Sequence, residues 1–144
     1  MKKEIRVLMV EDASEEADLI QHALRVGGLT FRIKRVETKA RFLYELKHDP
    51  PDLILSDFGL ARLDGFTALA IARKARPNTP FVLISGAMGV SVMIDSLNSG
   101  ATGCVLKRRL ETNLPPVVRR ALSAASNGRC ASMVRLGRNS SSLL

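Results

Sequence analysis

Four short apolar runs in this chain stop at a polar group able to do chemistry. "IRVLMV" (5–10) is followed by Glu11 and Asp12, and "LILS" (53–56) by Asp57. "FVLIS" (81–85) closes on Ser85, and "GCVL" (103–106) is followed by Lys107. A carboxylate at the tip of a buried strand is costly unless a cation meets it. Two carboxylates about 4 Å apart repel by roughly 4 kcal/mol at an effective dielectric of 20, and three are in play, so Lys107 alone does not suffice. A divalent hard cation does. Oxygen ligands without His or Cys point to magnesium, with manganese as its mimic. Magnesium keeps waters and takes one or two carboxylates directly. The expected ligands are Asp12 and Asp57, with Glu11 acting through water and a backbone carbonyl near Gly59. The open face of such a metal suits a phosphoryl group. Asp57 would be the nucleophile that becomes an acyl phosphate, Lys107 would stabilise charge on the transferring oxygens, and Ser85 would donate a hydrogen bond to one of them.

Positioning those groups on one rim requires a particular scaffold. Apolar, β-branched runs alternate with amphipathic ones, which predicts strands at 5–10, 31–36, 53–56, 81–85 and 103–106. The first, third and fourth are apolar throughout, as in parallel strands covered on both faces. The second alternates Phe31 and Ile33 with Arg32 and Lys34, which suits an edge. Helices are expected over 14–26, 39–47, 65–75, 90–99 and 114–125. Their inward faces are set by Ala17, Ile20 and Leu24 in the first, by Phe42, Leu43 and Leu46 in the second, and by Val117, Val118, Ala121, Leu122 and Ala125 in the last. Asp64 is the expected N-cap of the third, Gly100 ends the fourth, and Pro115 and Pro116 are placed in the first turn of the fifth. Five strand–helix units with right-handed crossovers make an α/β, doubly wound parallel sheet with helices on both faces. In such folds ligands sit beyond the carboxyl ends of the strands, where the acids, the hydroxyl and the lysine collect.

At 144 residues the chain is read as one domain, residues 1–125, followed by a basic tail, 126–144, without periodicity and expected to be disordered. Net charge is +8. Residues 1–110 hold 17 Lys and Arg against 13 Asp and Glu, and the tail adds three Arg and no acid. No helix-turn-helix, zinc-finger or aromatic stacking pattern accompanies that charge, so nucleic acid is not an expected partner. The longest mostly apolar stretch, "FVLISGAMGVSVMI", is too short and too interrupted to span a membrane, and the start is not a signal peptide. Cys104 and Cys130 are far apart and in no metal-ligand spacing, consistent with a reduced, cytoplasmic protein. His22 and His48 read as surface residues.

Taken together and in order, "VEDASEEADLI", "LILSDFGLARLDGFTAL", "PFVLISGAMG" and "GATGCVLKRRLETNLPPVVRRAL" make residues 4–125 resemble a receiver domain of two-component response regulators. The resemblance implies the flavodoxin-like receiver fold with strand order 2-1-3-4-5. It implies phosphotransfer to Asp57 from a phosphohistidine on a sensor histidine kinase or histidine phosphotransfer protein, with no enzymatic activity beyond self-phosphotransfer and autodephosphorylation. It also implies output to a protein partner through the face of helix four, strand five and helix five. The segments "SGAMG" and "LKRRLETNLPPVVRRAL" are most similar to receivers that stand alone or are fused to sensory kinases, and a stand-alone receiver is the expected form. Gly59 and Ala87 occupy the positions that tune water access to the acyl phosphate, and both are small, which implies hydrolysis on the fast side of the family's range. The sequence departs from the pattern at Ala61, where Pro is common, and at Cys104, the switch position usually held by Tyr or Phe.

Other readings fit less well. "DFG" at 57–59 lacks the Gly-rich and catalytic loops of a protein kinase. "EDASEE" would repel a flavin phosphate. An interaction module of the same fold that no longer switches is the alternative of a different class, motivated by Cys104 and Ala61; a receiver detached from a larger hybrid kinase is another.

Overall fold

The computed structural model describes residues 4–58, 63–86 and 90–127. Five strands, β1 (Ile5–Val10), β2 (Phe31–Val36), β3 (Leu53–Asp57), β4 (Phe81–Ser85) and β5 (Gly103–Leu106), alternate with five helices, α1 (Ser14–Val26), α2 (Lys39–His48), α3 (Gly65–Ala75), α4 (Val90–Asn98) and α5 (Leu110–Asn127). The strands form one parallel sheet in the order β2-β1-β3-β4-β5, the expected topology. β2 is an edge strand, with Phe31 and Ile33 half-buried and Arg32 and Lys34 in solvent. The expectations for Gly59, Ala61, Ala87 and residues 128–144 of the tail lie outside the described residues; residues 126 and 127, placed in the tail by the sequence, are instead the end of α5.

The two-residue period of the strands divides the core. Val7, Met9, Leu53, Leu55, Val82 and Ile84 face α1 and α5, while Leu8, Val10, Ile54, Phe81 and Leu83 face the α2–α3 side. All are almost wholly buried, and each removes roughly 1.5–3 kcal/mol worth of apolar surface from water. Every second residue of a strand lies on one face, so Glu11, Asp57 and Lys107 continue the rows that line the α1–α5 side. The strand ends and the first turn of α1 are thereby brought together.

Two helices differ from expectation. In α2, Phe42 and Leu46 are buried but Leu43 is 42% exposed. The inward position goes instead to Glu45, 2% exposed, whose carboxylate meets Lys34 at 2.9 Å and Arg41 at 2.8 Å. The paired cations make that burial tolerable. α5 begins one turn earlier than expected, after a 3-10 turn over Lys107–Arg109, so Pro115 and Pro116 lie inside it rather than in its first turn. They leave the carbonyls of Glu111 and Thr112 without their usual donors. Burial of Leu110 and Leu114, four residues apart, carries the apolar stripe back past the prolines. Pro115 also packs on the end of α1, where a Cβ at Gly27 would collide with its ring. Asp64 caps α3 as expected, accepting from the Thr67 N–H at 2.9 Å. Gly100 turns the chain after α4 at φ 111°, a conformation other residues rarely adopt.

Candidate phosphoacceptor site at the carboxyl edge of the sheet

Asp57 is the last residue of β3 and 8% exposed. Buried there, its charge needs a partner, and the Lys107 ammonium supplies one, with Nζ 2.8 Å from Oδ1. Lys107 opens the 3-10 turn after β5. Its stem passes Gly86, where an added Cβ would lie 4.0 Å from the lysine Cδ. Ser85, directly before that glycine, is 5% exposed at the end of β4. The nucleophile, the lysine and the hydroxyl expected to act together thus occupy the ends of three adjacent strands.

The pairing of Val10 with Ser56 places Glu11 beside Asp57 on the neighbouring strand. Glu11 is 1% exposed, and its Oε2 accepts the Ala13 N–H at 3.1 Å. Its other oxygen, Oε1, is buried without a hydrogen-bond partner among the described residues. Burial pushes the Glu11 carboxyl above its ordinary pKa, the Ala13 N–H opposes that, and the charge of Asp57 adds to it. Asp12, next in the chain, is exposed at the same rim. Among the described residues no group of three or more His, Cys, Asp or Glu side chains forms a ready-made metal cage. The donor set nevertheless fits magnesium, which takes few carboxylates and retains waters: an orphaned buried carboxylate oxygen faces the problem that a hydrated cation solves. The expected carbonyl of Gly59 lies outside the described residues.

One participant was not anticipated. Glu16, in the first turn of α1, lies half-buried with Oε1 3.2 Å from Lys107 Nζ. Burial works against the charged ammonium, and the carboxylates of Asp57 and Glu16 outweigh it, raising the Lys107 pKa above its ordinary value. The signal available in the sequence was position: Glu16 is in the first turn of the helix that follows the acid pair. At Cys104 the expected aromatic switch is replaced by a partly buried thiol whose Sγ lies 3.0 Å from Ser96 Oγ on α4. Ser96 is fully buried and also donates to the Met93 carbonyl at 2.8 Å.

A five-stranded parallel sheet in this order, with three acids, a hydroxyl and a lysine at its carboxyl edge, is the architecture of the CheY-like receiver folds. The sequence profile of the response regulator receiver domain matches residues 7–119, and the chain belongs to that family. It is 26% identical over 102 residues to the chemotaxis protein CheY of Bacillus subtilis, covering 71% of this chain and 84% of that one. To the transcriptional regulatory protein ZraR of Klebsiella oxytoca it is 24% identical over 105 residues, 73% of this chain and 23% of the regulator. The chain therefore spans about a quarter of the length of such larger regulators. The fold is shared with a CheY-like receiver domain from Methanospirillum hungatei at a TM-score of 0.73 and 23% identity, over 88% of this chain and 99% of that one. Among the described residues no helix is long and apolar enough to cross a membrane.

Proposed function

We propose that this receiver domain takes a phosphoryl group onto Asp57 from a phosphohistidine donor, with Mg2+ as cofactor, and signals through protein–protein contacts. The observation that carries the reading is the 2.8 Å pair between Lys107 Nζ and Asp57 Oδ1, set beside the orphaned Oε1 of Glu11. Asp12 and Asp57 would hold the cation directly, Glu11 through water, and the Gly59 carbonyl would complete the protein's share. When bound, magnesium supplies the divalent charge that offsets the negative oxygens of the transferring group. Asp57 provides the attacking oxygen, Lys107 follows the charge onto the phosphoryl oxygens, and Ser85 donates a hydrogen bond to one of them. Small residues at Gly59 and Ala87 would admit water and shorten the life of the acyl phosphate.

The donor is a sensor histidine kinase or histidine phosphotransfer protein, and the output surface is α4, β5 and α5. The reading concerns the receiver itself and applies equally within a longer regulator. Incubation with acetyl phosphate and Mg2+ is expected to add about 80 Da, one phosphoryl group, and Asp57→Asn to prevent it. Unchanged labelling of that variant contradicts the assignment. A second reading is favoured by Cys104, whose thiol is tied to Ser96 where the family's ring would report on the hydroxyl: partner binding that ignores phosphorylation. Equal affinity for an output partner with and without a phosphoryl group would select it.

A further inference from the structure

We propose that Glu16 is a positioning residue that holds the Lys107 ammonium at the mouth of the site while Asp57 changes from carboxylate to acyl phosphate. This rests on the reading of Asp57 as the phosphoacceptor. The ammonium is shared, 2.8 Å from Asp57 Oδ1 and 3.2 Å from Glu16 Oε1. The two carboxylates come from different elements: Asp57 ends β3, and Glu16 sits in the first turn of α1. Lys107 is itself three-quarters buried, so releasing it from one anion without offering another would leave a desolvated charge unpaired.

During transfer from acetyl phosphate, an Asp57 oxygen forms the new P–O bond. The donor P–O bond breaks, and its electron pair departs on acetate. Asp57 then no longer presents a free carboxylate to the lysine. Of the three N–H donors on an ammonium, one stays on Glu16, and the others are left to turn from Asp57 to the phosphoryl oxygens. Among the described residues, Lys107 without Glu16 has a single carboxylate anchor, and that anchor is the atom group being transformed.

The test measures phosphorylation rates of the full chain at saturating acetyl phosphate and Mg2+. The proteins are wild type, Glu16→Gln, Glu16→Asp, Lys107→Ala, the Glu16→Gln/Lys107→Ala double variant and Asp57→Asn, with thermal melts of each as a folding control. Glu16→Gln is expected to slow labelling about five-fold, the scale of a partly exposed charge pair expressed as a rate. Glu16→Asp, which keeps the charge, should recover part of that loss. In the Lys107→Ala background Glu16→Gln should change nothing further. An unchanged or faster rate in Glu16→Gln overturns the proposal, as does the same slowing in the presence and absence of Lys107. Labelling that survives Asp57→Asn overturns the phosphoacceptor reading instead, so the two failures are distinct.

Discussion

Replacing Glu11 by Gln should stabilise the metal-free protein, although Glu11 is almost wholly buried in the centre of the site. Parallel strands lie about 4.8 Å apart, and Glu11 and Asp57 are neighbours across β1 and β3. Carboxylates about 6 Å apart repel by roughly 3 kcal/mol at an effective dielectric of 20. Lys107 offsets part of that repulsion, and the amide of Gln still accepts from the Ala13 N–H. A net gain of about 1–2 kcal/mol remains, or roughly 3–6 °C in melting temperature for a domain of this size. The sign of the pH dependence follows from the raised Glu11 pKa. The folded state favours the protonated acid, so wild type keeps its full stability below the ordinary pKa and loses it as pH rises through the folded one. The gap between variant and wild type should therefore open as pH rises from the ordinary carboxyl pKa through the raised one. Millimolar Mg2+ should raise the wild-type midpoint more than the variant's. Thermal melts by circular dichroism across that pH range, with and without Mg2+, read all three effects. A variant less stable than wild type at neutral pH without metal would refute the reasoning.

Three further outcomes are expected. Asp64→Ala, removing the cap of α3, should cost about 1 kcal/mol in denaturant melts; the Thr67 N–H holds the Asp64 carboxyl below its ordinary pKa, so that contribution is present at neutral pH and disappears as pH falls through the folded value. Gly27→Ala drives a methyl group into the Pro115 ring and should lower stability by about 1–3 kcal/mol, read as a falling melting temperature. Burial raises the Cys104 pKa, opposed by its bond to Ser96, so peptide-resolved alkylation at neutral pH should be slow when folded, fast when unfolded, and should accelerate towards alkaline pH.

The strands were legible because parallel, doubly covered strands are written as unbroken apolar runs, and the edge strand as an alternation. All five appear where those runs stand, β3 extending one residue to include Asp57. The rim residues followed from the rule that function collects at strand ends. Helical detail was less legible wherever tertiary pairing overrode local pattern. Leu43 and Glu45 exchanged roles because Lys34 on β2 and Arg41 could neutralise a buried acid. Pro115 and Pro116 looked like a helix start, yet burial of Leu110 and Leu114 continued the helix before them. Glu16 was missed for a similar reason: helical periodicity alone does not reveal that the two-residue period of β3 and β5 points Asp57 and Lys107 towards α1. Cys104 was identified as unusual, but its partner Ser96 lies on another element, eight residues away.

The chemistry assigned to this rim is tested most directly by locating the modified atom. After incubation with acetyl phosphate and Mg2+, borohydride reduction converts an aspartyl phosphate to homoserine, which peptide mass spectrometry places in the sequence. Homoserine at position 57, dependent on both phosphodonor and metal, is the predicted result. Its absence there, or phosphoryl transfer to His22 or His48 instead, would contradict the account.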